Sequence, residues 1–174
     1  FNCAYKTADP HAPQNRETLF GALGLKTAAT RILNPCHGDK IAVVTDEEWV
    51  AQSHDVLIGT DAALTQKPGT YFVMSTADCL PVLLTDTKRQ FAGIVHLGWR
   101  NIVAGFLPKV LDTIKQQFKI QPDRLCAAIG PSIYPCCYVY ENPVQRNDPF
   151  WQPYLTRLDG DRYAIDLVSP VRAQ

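Results

Sequence analysis

Residues 71–100, YFVMSTADCLPVLLTDTKRQFAGIVHLGWR, constrain this chain more than any other stretch. Tyr71–Thr76, Val82–Thr85 and Phe91–Val95 are rich in β-branched and aromatic residues and predict three β-strands. The latter two flank a polar turn, Asp86–Gln90. Strands this closely spaced pack as sheet, and a rigid sheet hands the residues at its strand ends to a cleft. Ala77-Asp78-Cys79 follows the first strand, and His96-Leu97-Gly98-Trp99-Arg100 follows the third. Cys79 and His96 are too distant for one helix face but natural neighbours across a strand-turn-strand unit. Both are metal-competent, and they could equally form a nucleophile–base pair.

Punctuation places the rest of the chain around this stretch. Gln14–Leu23 reads as a first helix closed by Gly24, with Asn15 and Arg16 in its first turn. Ala28–Leu33 and Lys40–Val44 read as strands. Between them Cys36-His37-Gly38-Asp39 puts His37 in a glycine-containing turn that a ligand can approach. Asp46–Gln52 reads as a surface helical turn, and His54–Ile58 leads into Gly59-Thr60-Asp61-Ala62. His11 and His54 read as surface or structural residues. From Ile102 to Phe118 apolar residues recur at three- and four-residue intervals, predicting an amphipathic helix capped by Asn101 and ended by Gln121-Pro122. Pro108 requires a kink or break near Gly105–Pro108. Arg100 at the helix entry, with the first amides, makes an anion-friendly end. Arg124–Ile129 reads as a buried strand and Gly130–Tyr138 as a tight proline-punctuated loop. Glu141–Arg157 reads as loop or short helix. Tyr163–Leu167 is a last strand, with a helix starting after Ser169-Pro170.

Length and charge narrow the function classes. With 174 residues, 46% of them hydrophobic, one domain over residues 1–174 is expected, long enough for a substantial core. The chain opens at Phe1 without an initiator Met and stops at Gln174 in a helical pattern, so that domain reads as incomplete at both ends. Its 17 basic residues balance 17 acidic ones, which gives no electrostatic case for nucleic acid or an anionic membrane. No apolar run reaches the length of a membrane span. Six cysteines (3, 36, 79, 126, 136, 137) raise the question of a disulfide framework. The chain is larger than such scaffolds, Cys126 falls in an apolar strand where a buried free thiol is expected, and adjacent Cys136 and Cys137 cannot easily pair. A reducing cytoplasm is the expected compartment.

Three readings of the reactive residues stand side by side. His37, Cys79 and His96 could hold a metal ion, and three protein ligands would leave the open position of a catalytic site. Asp78, next to Cys79, would then orient a ligand or move a proton. Alternatively Cys79 is the nucleophile of a thiol hydrolase with His96 or His37 as its base. The third reading is a buried cysteine beside two hydrogen-bonded histidines.

TADCLPVLL followed by GIVHLGWRNIVAG, with HGDKI upstream and IGPSIYPCCY downstream, resembles the laccase-domain family, also called the multicopper polyphenol oxidase-like or purine nucleoside phosphorylase family. FN at the start, NRETL in the first helix, GTDAALTQKPG and YAIDL extend the resemblance over nearly the whole chain. The resemblance implies an α/β (α+β) domain of layered mixed β-sheets flanked by helices, of the α/β/β/α type. It also implies one zinc ion on His37, Cys79 and His96. The implied activity is phosphorolysis of adenosine, inosine, guanosine or methylthioadenosine, together with hydrolytic deamination of adenosine. Catalysis would then fall to Cys79, Asp78 and Arg100, and binding of nucleoside and phosphate to Arg100, Arg16 and Asn15. The older reading of the family is a copper-dependent polyphenol oxidase with copper on the same three residues. Four histidines in all are too few for multicopper electron storage. A non-catalytic metal-binding protein is the remaining alternative. The chain departs from the family pattern at Pro35-Cys36, at Asn101 in place of a glycine, and at Pro108; Cys36 is read as structural.

Overall fold

The computed structural model describes residues 2–4, 7–25, 29–45 and 55–174. Three sheets organise them. The first is parallel, with β1 (Thr30–Asn34) between β3 (Asp55–Ile58) and β5 (Tyr71–Met74). The second is mixed and five-stranded. Its order is β2 (Ile41–Val44), β4 (Ala62–Thr65), β7 (Ala92–Leu97), β6 (Leu80–Asp86) and β8 (Leu125–Ile129). The third is a small antiparallel sheet in which β11 (Arg162–Ile165) lies between β10 (Leu155–Arg157) and β9 (Val139–Glu141).

Side-chain alternation explains the layering, since successive residues of a strand face opposite sides. From the five-stranded sheet Ala62, Leu64, Leu80, Val82, Leu84, Val95 and Leu97 point into the main core. There they meet Ile102 of α2 (Trp99–Val103), Phe106 and Val110 of α3 (Phe106–Thr113), and Val168 and Val171 of α4 (Val168–Ala173). Ala63 and Ile94, one residue out of phase, face Leu33, Leu57, Phe72 and Met74 of the parallel sheet. Strand β4 is therefore covered on both faces and buried at all four positions: Ala62, Ala63 and Leu64 are apolar, and the Thr65 hydroxyl donates to the Val44 carbonyl at 2.8 Å. Each fully buried Leu, Ile or Phe in these layers contributes roughly 1.5–3 kcal/mol. The α/β (α+β) class with layered mixed sheets flanked by helices is the observed one.

Several boundaries differ from the sequence reading. The first helix, α1, runs Ala12–Ala22. The 102–118 helix is broken where expected: Gly105 is left-handed (φ 69°), and Pro108 falls in the first turn of α3, where its missing N–H costs nothing. A wider π-type turn, Ile114–Phe118, continues α3 to a left-handed Lys119. The third central strand extends through Leu97, so His96 lies inside β7 rather than after it, and is 4% exposed. Residues 141–157, read as loop or short helix, do hold two short 3-10 helices, Val144–Asn147 and Gln152–Tyr154, but also supply β10 and the end of β9. Arg124–Ile129, read as a buried strand, is an edge: β8 pairs with β6 alone and exposes Cys126, Ala127 and Ala128. An apolar run signals burial only when both flanks are covered. Asp46–Gln52 and His54 lie outside the described residues. No helix among the described residues is long and apolar enough to cross a membrane.

A candidate metal centre at the sheet-to-sheet crossings

The chain crosses from the parallel sheet to the five-stranded sheet three times: β1 to β2, β3 to β4 and β5 to β6. Because β1, β3 and β5 are parallel, all three crossings leave from the same edge of that sheet. This carboxyl edge is where sheets of parallel strands place their ligand sites. The first crossing carries His37, the second Asp61, the third Cys79. His96 comes to meet them from β7, its backbone N–H bound to the Asp61 carbonyl at 2.7 Å.

Asp61, 0% exposed, organises the cluster. Its carboxylate accepts the backbone N–H groups of Cys36 (3.1 Å), His37 (2.9 Å) and Gly38 (3.0 Å), and it bonds His96 Nδ1 at 2.8 Å. Asn101 Nδ2 donates to the same carboxylate at 3.3 Å and to the Gly38 carbonyl at 2.8 Å, while its Oδ1 accepts the Gly98 N–H. Asn101, expected only to cap a helix, thus ties α2 to the His37 turn. The thiol of Cys36 lies 3.6 Å from Asp61, a packing role as expected. His37 is held in the left-handed region (φ 61°) that three consecutive amides converging on one carboxylate demand.

With Nδ1 of His96 bonded to Asp61, Nε2 is left for a ligand, the arrangement in which a carboxylate fixes the tautomer of a metal-binding histidine. The ligand atoms of His37, Cys79 and His96 all lie within 4.8 Å of one another. His37 Nε2 and Cys79 Sγ are 3.4 Å apart, close to the separation of about 3.5 Å that a tetrahedral ion with bonds near 2.0 and 2.3 Å imposes. The rings of His37 and His96 meet edge to face at 4.9 Å. Gly98 keeps the space between the ligands open. A Cβ there would sit 2.5 Å from His37 Cδ2 and 3.0 Å from Cys79 Sγ. The donor set and its cradle fit a single metal ion. Gly98→Ala is accordingly expected to weaken metal binding by at least about 10-fold while leaving the fold intact, measured by competition with a chromogenic chelator. Unchanged affinity would show that His37 is not a ligand.

Burial alone would depress the His96 imidazole; the hydrogen bond to Asp61, then the Cys79 thiol, outweigh it and hold His96 up at about 9. Burial would raise Asp61, but the His96 bond and the Cys36 and Gly38 amides hold it down at about 2. His37 lies below its ordinary value, through desolvation of its site-facing side and then the His96 charge. The raised His96 value sets the sign of a stability effect. Its contribution is complete below pH 6.5 and is lost as pH rises through about 9; that of Asp61 is complete above 3.8 and lost as pH falls through about 2. Metal-free protein is therefore expected to lose stability between pH 6.5 and 9, followed by urea midpoints in chelator. A flat profile over that span would exclude a His96–Asp61 ion pair.

The other expected residues are dispersed. Arg100 is exposed and lies over the Trp99 ring, 4.3 Å from its centroid, near enough for its charge to depress His37. Helix α2 has only five residues, and the N–H of its N-cap Gly98 is taken by the Asn101 side chain. Asp78 is exposed, its carbonyl accepting the Ile133 N–H at 2.9 Å. The carboxylate that orients His96 is Asp61, not Asp78. Asn15 and Arg16 hold the N-terminal segment: Asn15 Nδ2 donates to the Asn2 carbonyl at 2.9 Å, and Arg16 Nη1 to the Ala4 carbonyl at 2.8 Å. Asp61 went unassigned in the sequence, although a carboxylate opening an apolar Ala-Ala-Leu strand was a usable signal.

A family model described as multi-copper polyphenol oxidoreductase laccase matches residues 1–174. A purine nucleoside phosphorylase of Bacteroides thetaiotaomicron is 30% identical over 138 residues, which is 76% of this chain and 51% of that protein. The adenosine deaminase RL5, from an unknown prokaryotic organism, is 32% identical over 127 residues, 71% of this chain and 48% of the relative. The crystal structure of the hypothetical protein YfiH of Bacillus licheniformis superposes with a TM-score of 0.85 at 26% identity, covering 99% of this chain and 68% of that one. The chain spans about half the length of these curated relatives.

Proposed function

The chain belongs to the multi-copper polyphenol oxidoreductase laccase family, and from that premise we propose that it is a zinc enzyme of purine nucleosides. The reading has it phosphorolyse adenosine, inosine, guanosine or methylthioadenosine and deaminate adenosine. The observation that carries the reading is the His37–Cys79–His96 group backed by buried Asp61: three ligands on one ion, with the exposed His37 side left for substrate. The names of the relatives supply the substrate class. Four histidines in the whole chain favour one zinc over a copper oxidase.

When bound, zinc supplies Lewis-acid polarisation of a substrate oxygen or of water. The protein's own residues do the rest. His37, Cys79 and His96 hold the ion, and Asp61 keeps the His96 Nδ1 proton in place so that Nε2 stays a ligand. Asp78 moves the proton to or from the leaving group. Arg100 pairs with phosphate, and its position on Trp99 fixes where that anion sits. Asn15 and Arg16 contribute to nucleoside binding together with residues 2–4, which they hold. Free thiols at Cys3, Cys36, Cys79, Cys126, Cys136 and Cys137 favour a reducing, cytoplasmic setting.

The test is metal content of protein purified without added metal, with adenosine turnover followed with and without phosphate. One zinc per chain and phosphate-dependent adenine release is the expected result, and Arg100→Ala should raise the phosphate KM about 10-fold or more. Inosine formed without phosphate would assign the chain to deamination alone. Copper with oxidation of a phenolic dye would favour the oxidase. Turnover that survives chelation but not thiol alkylation would favour the hydrolase, and bound metal without turnover would leave a metal-binding protein.

A further inference from the structure

Cys136 and Cys137 stand apart from the metal centre and nothing in the proposed chemistry uses them. In an extended strand consecutive side chains point to opposite faces. Here residues 135–137 form a turn instead, closed by the Cys137 and Tyr138 N–H groups on the Tyr134 carbonyl at 2.9 and 2.8 Å. The two thiols consequently lie on one side, Sγ to Sγ 3.5 Å, both exposed. The loop is pinned at its other end by the bond from the Ile133 N–H to the Asp78 carbonyl. Both thiols line a cavity of about 600 Å³ together with Asp78, Ser132 and Tyr134. The Ser132 hydroxyl is buried there without a partner. The hydrogen bond with Cys136, and then the repulsion between two adjacent thiolates, raises the Cys137 thiol above its ordinary value.

What the pair can chelate follows from what it lacks. A structural zinc needs four donors. Among the described residues the group of three or more metal-competent side chains is His37, Cys79 and His96, and neither Cys136 nor Cys137 joins it. Two thiols in contact, with open cavity beside them, suit a centre that takes two sulfurs and brings its own third substituent.

We propose that Cys136 and Cys137 form a dithiol site for monosubstituted trivalent arsenicals, R–As(OH)2, held in the cavity beside Asp78. In the capture step two As–S bonds form and two As–O bonds break. The two thiol protons leave with the two hydroxyls as water, and arsenic stays trivalent. The site takes no donor from the metal centre, and only the zinc loading in its test rests on the reading of that centre.

The test uses the full chain loaded with zinc, so that Cys79 is occupied, and phenylarsonous acid as the probe. Intact-mass spectrometry is expected to show one phenylarsenic adduct per chain with loss of two titratable thiols. Dimercaptopropanol should remove it, whereas a monothiol at equal concentration should not. Cys136→Ser and Cys137→Ser should each release the adduct about 100-fold faster, through loss of the chelate, while Cys36→Ser and Cys126→Ser should behave as the parent. Both loop positions are exposed, so serine there leaves the core untouched. Absence of a retained adduct in the parent, or its persistence in the Cys136→Ser/Cys137→Ser double variant, would overturn the proposal.

Discussion

A Cys79→Ala protein is expected to be purified with less than about a tenth of the parent's metal and to turn over adenosine at least about 100-fold more slowly. Cys79 would be the one thiolate among the three candidate ligands, and its sulfur stands 3.4 Å from His37 Nε2. Its removal leaves two imidazoles, of which His96 then keeps its proton for Asp61. The side chain is half-buried in the crossing before β6 and outside both core clusters. Metal-free Cys79→Ala should therefore unfold within about 1 kcal/mol of the metal-free parent. Metal analysis of the two proteins side by side decides the matter. Full metal content in the variant would overturn the ligand assignment.

Asp61→Ala is expected to do wider damage, lowering the stability of the metal-free protein by about 3–5 kcal/mol. Removing the carboxylate strands the amides of Cys36, His37 and Gly38 and leaves the His96 imidazolium buried without its counter-charge. The left-handed His37 turn then keeps the Asn101 bond to the Gly38 carbonyl but loses the carboxylate that gathers its three amides. Metal affinity should fall about 10–100-fold as well, since His96 loses the bond that fixes its tautomer. Asp61→Asn retains one oxygen acceptor but turns an amide toward backbone donors, so an intermediate loss is expected. Urea titration at pH 7 in chelator is the measurement; an Asp61→Ala midpoint matching the parent's would remove Asp61 from the centre of the site.

The three candidate ligands stood out because each is a soft or basic residue beside a glycine or at the margin of a strand pattern, while their joint assignment to one ion rested on the family resemblance. The break at Gly105–Pro108 was legible for a similarly local reason. What escaped was non-local. Asp61 looked like one more turn carboxylate, and only the meeting of the second crossing with the first and with β7 makes it the acceptor for three amides and a histidine. Asn101 likewise passed for a helix cap until the Gly38 carbonyl appeared opposite it. The exposure of β8 depends on having one neighbour instead of two, which no periodicity within Leu125–Ile129 records. His96 falls one residue beyond the strand that residue content alone gives, Phe91–Val95, whereas pairing with β6 carries β7 through Leu97.

Three crossings that each deliver one residue to the centre have a thermodynamic consequence. No segment of the unfolded chain holds two of the ligands close together, so an ion that binds the assembled trio has little affinity for the unfolded state. Its binding free energy would then act as a clamp across the crossings that join two sheets packed on each other through the small cluster around Leu33, Ala63 and Ile94. At a hundred times its dissociation constant the ion adds about 2.7 kcal/mol to global stability. On the proposed zinc reading, metal supply would thereby set how firmly the parallel sheet stays seated on its neighbour.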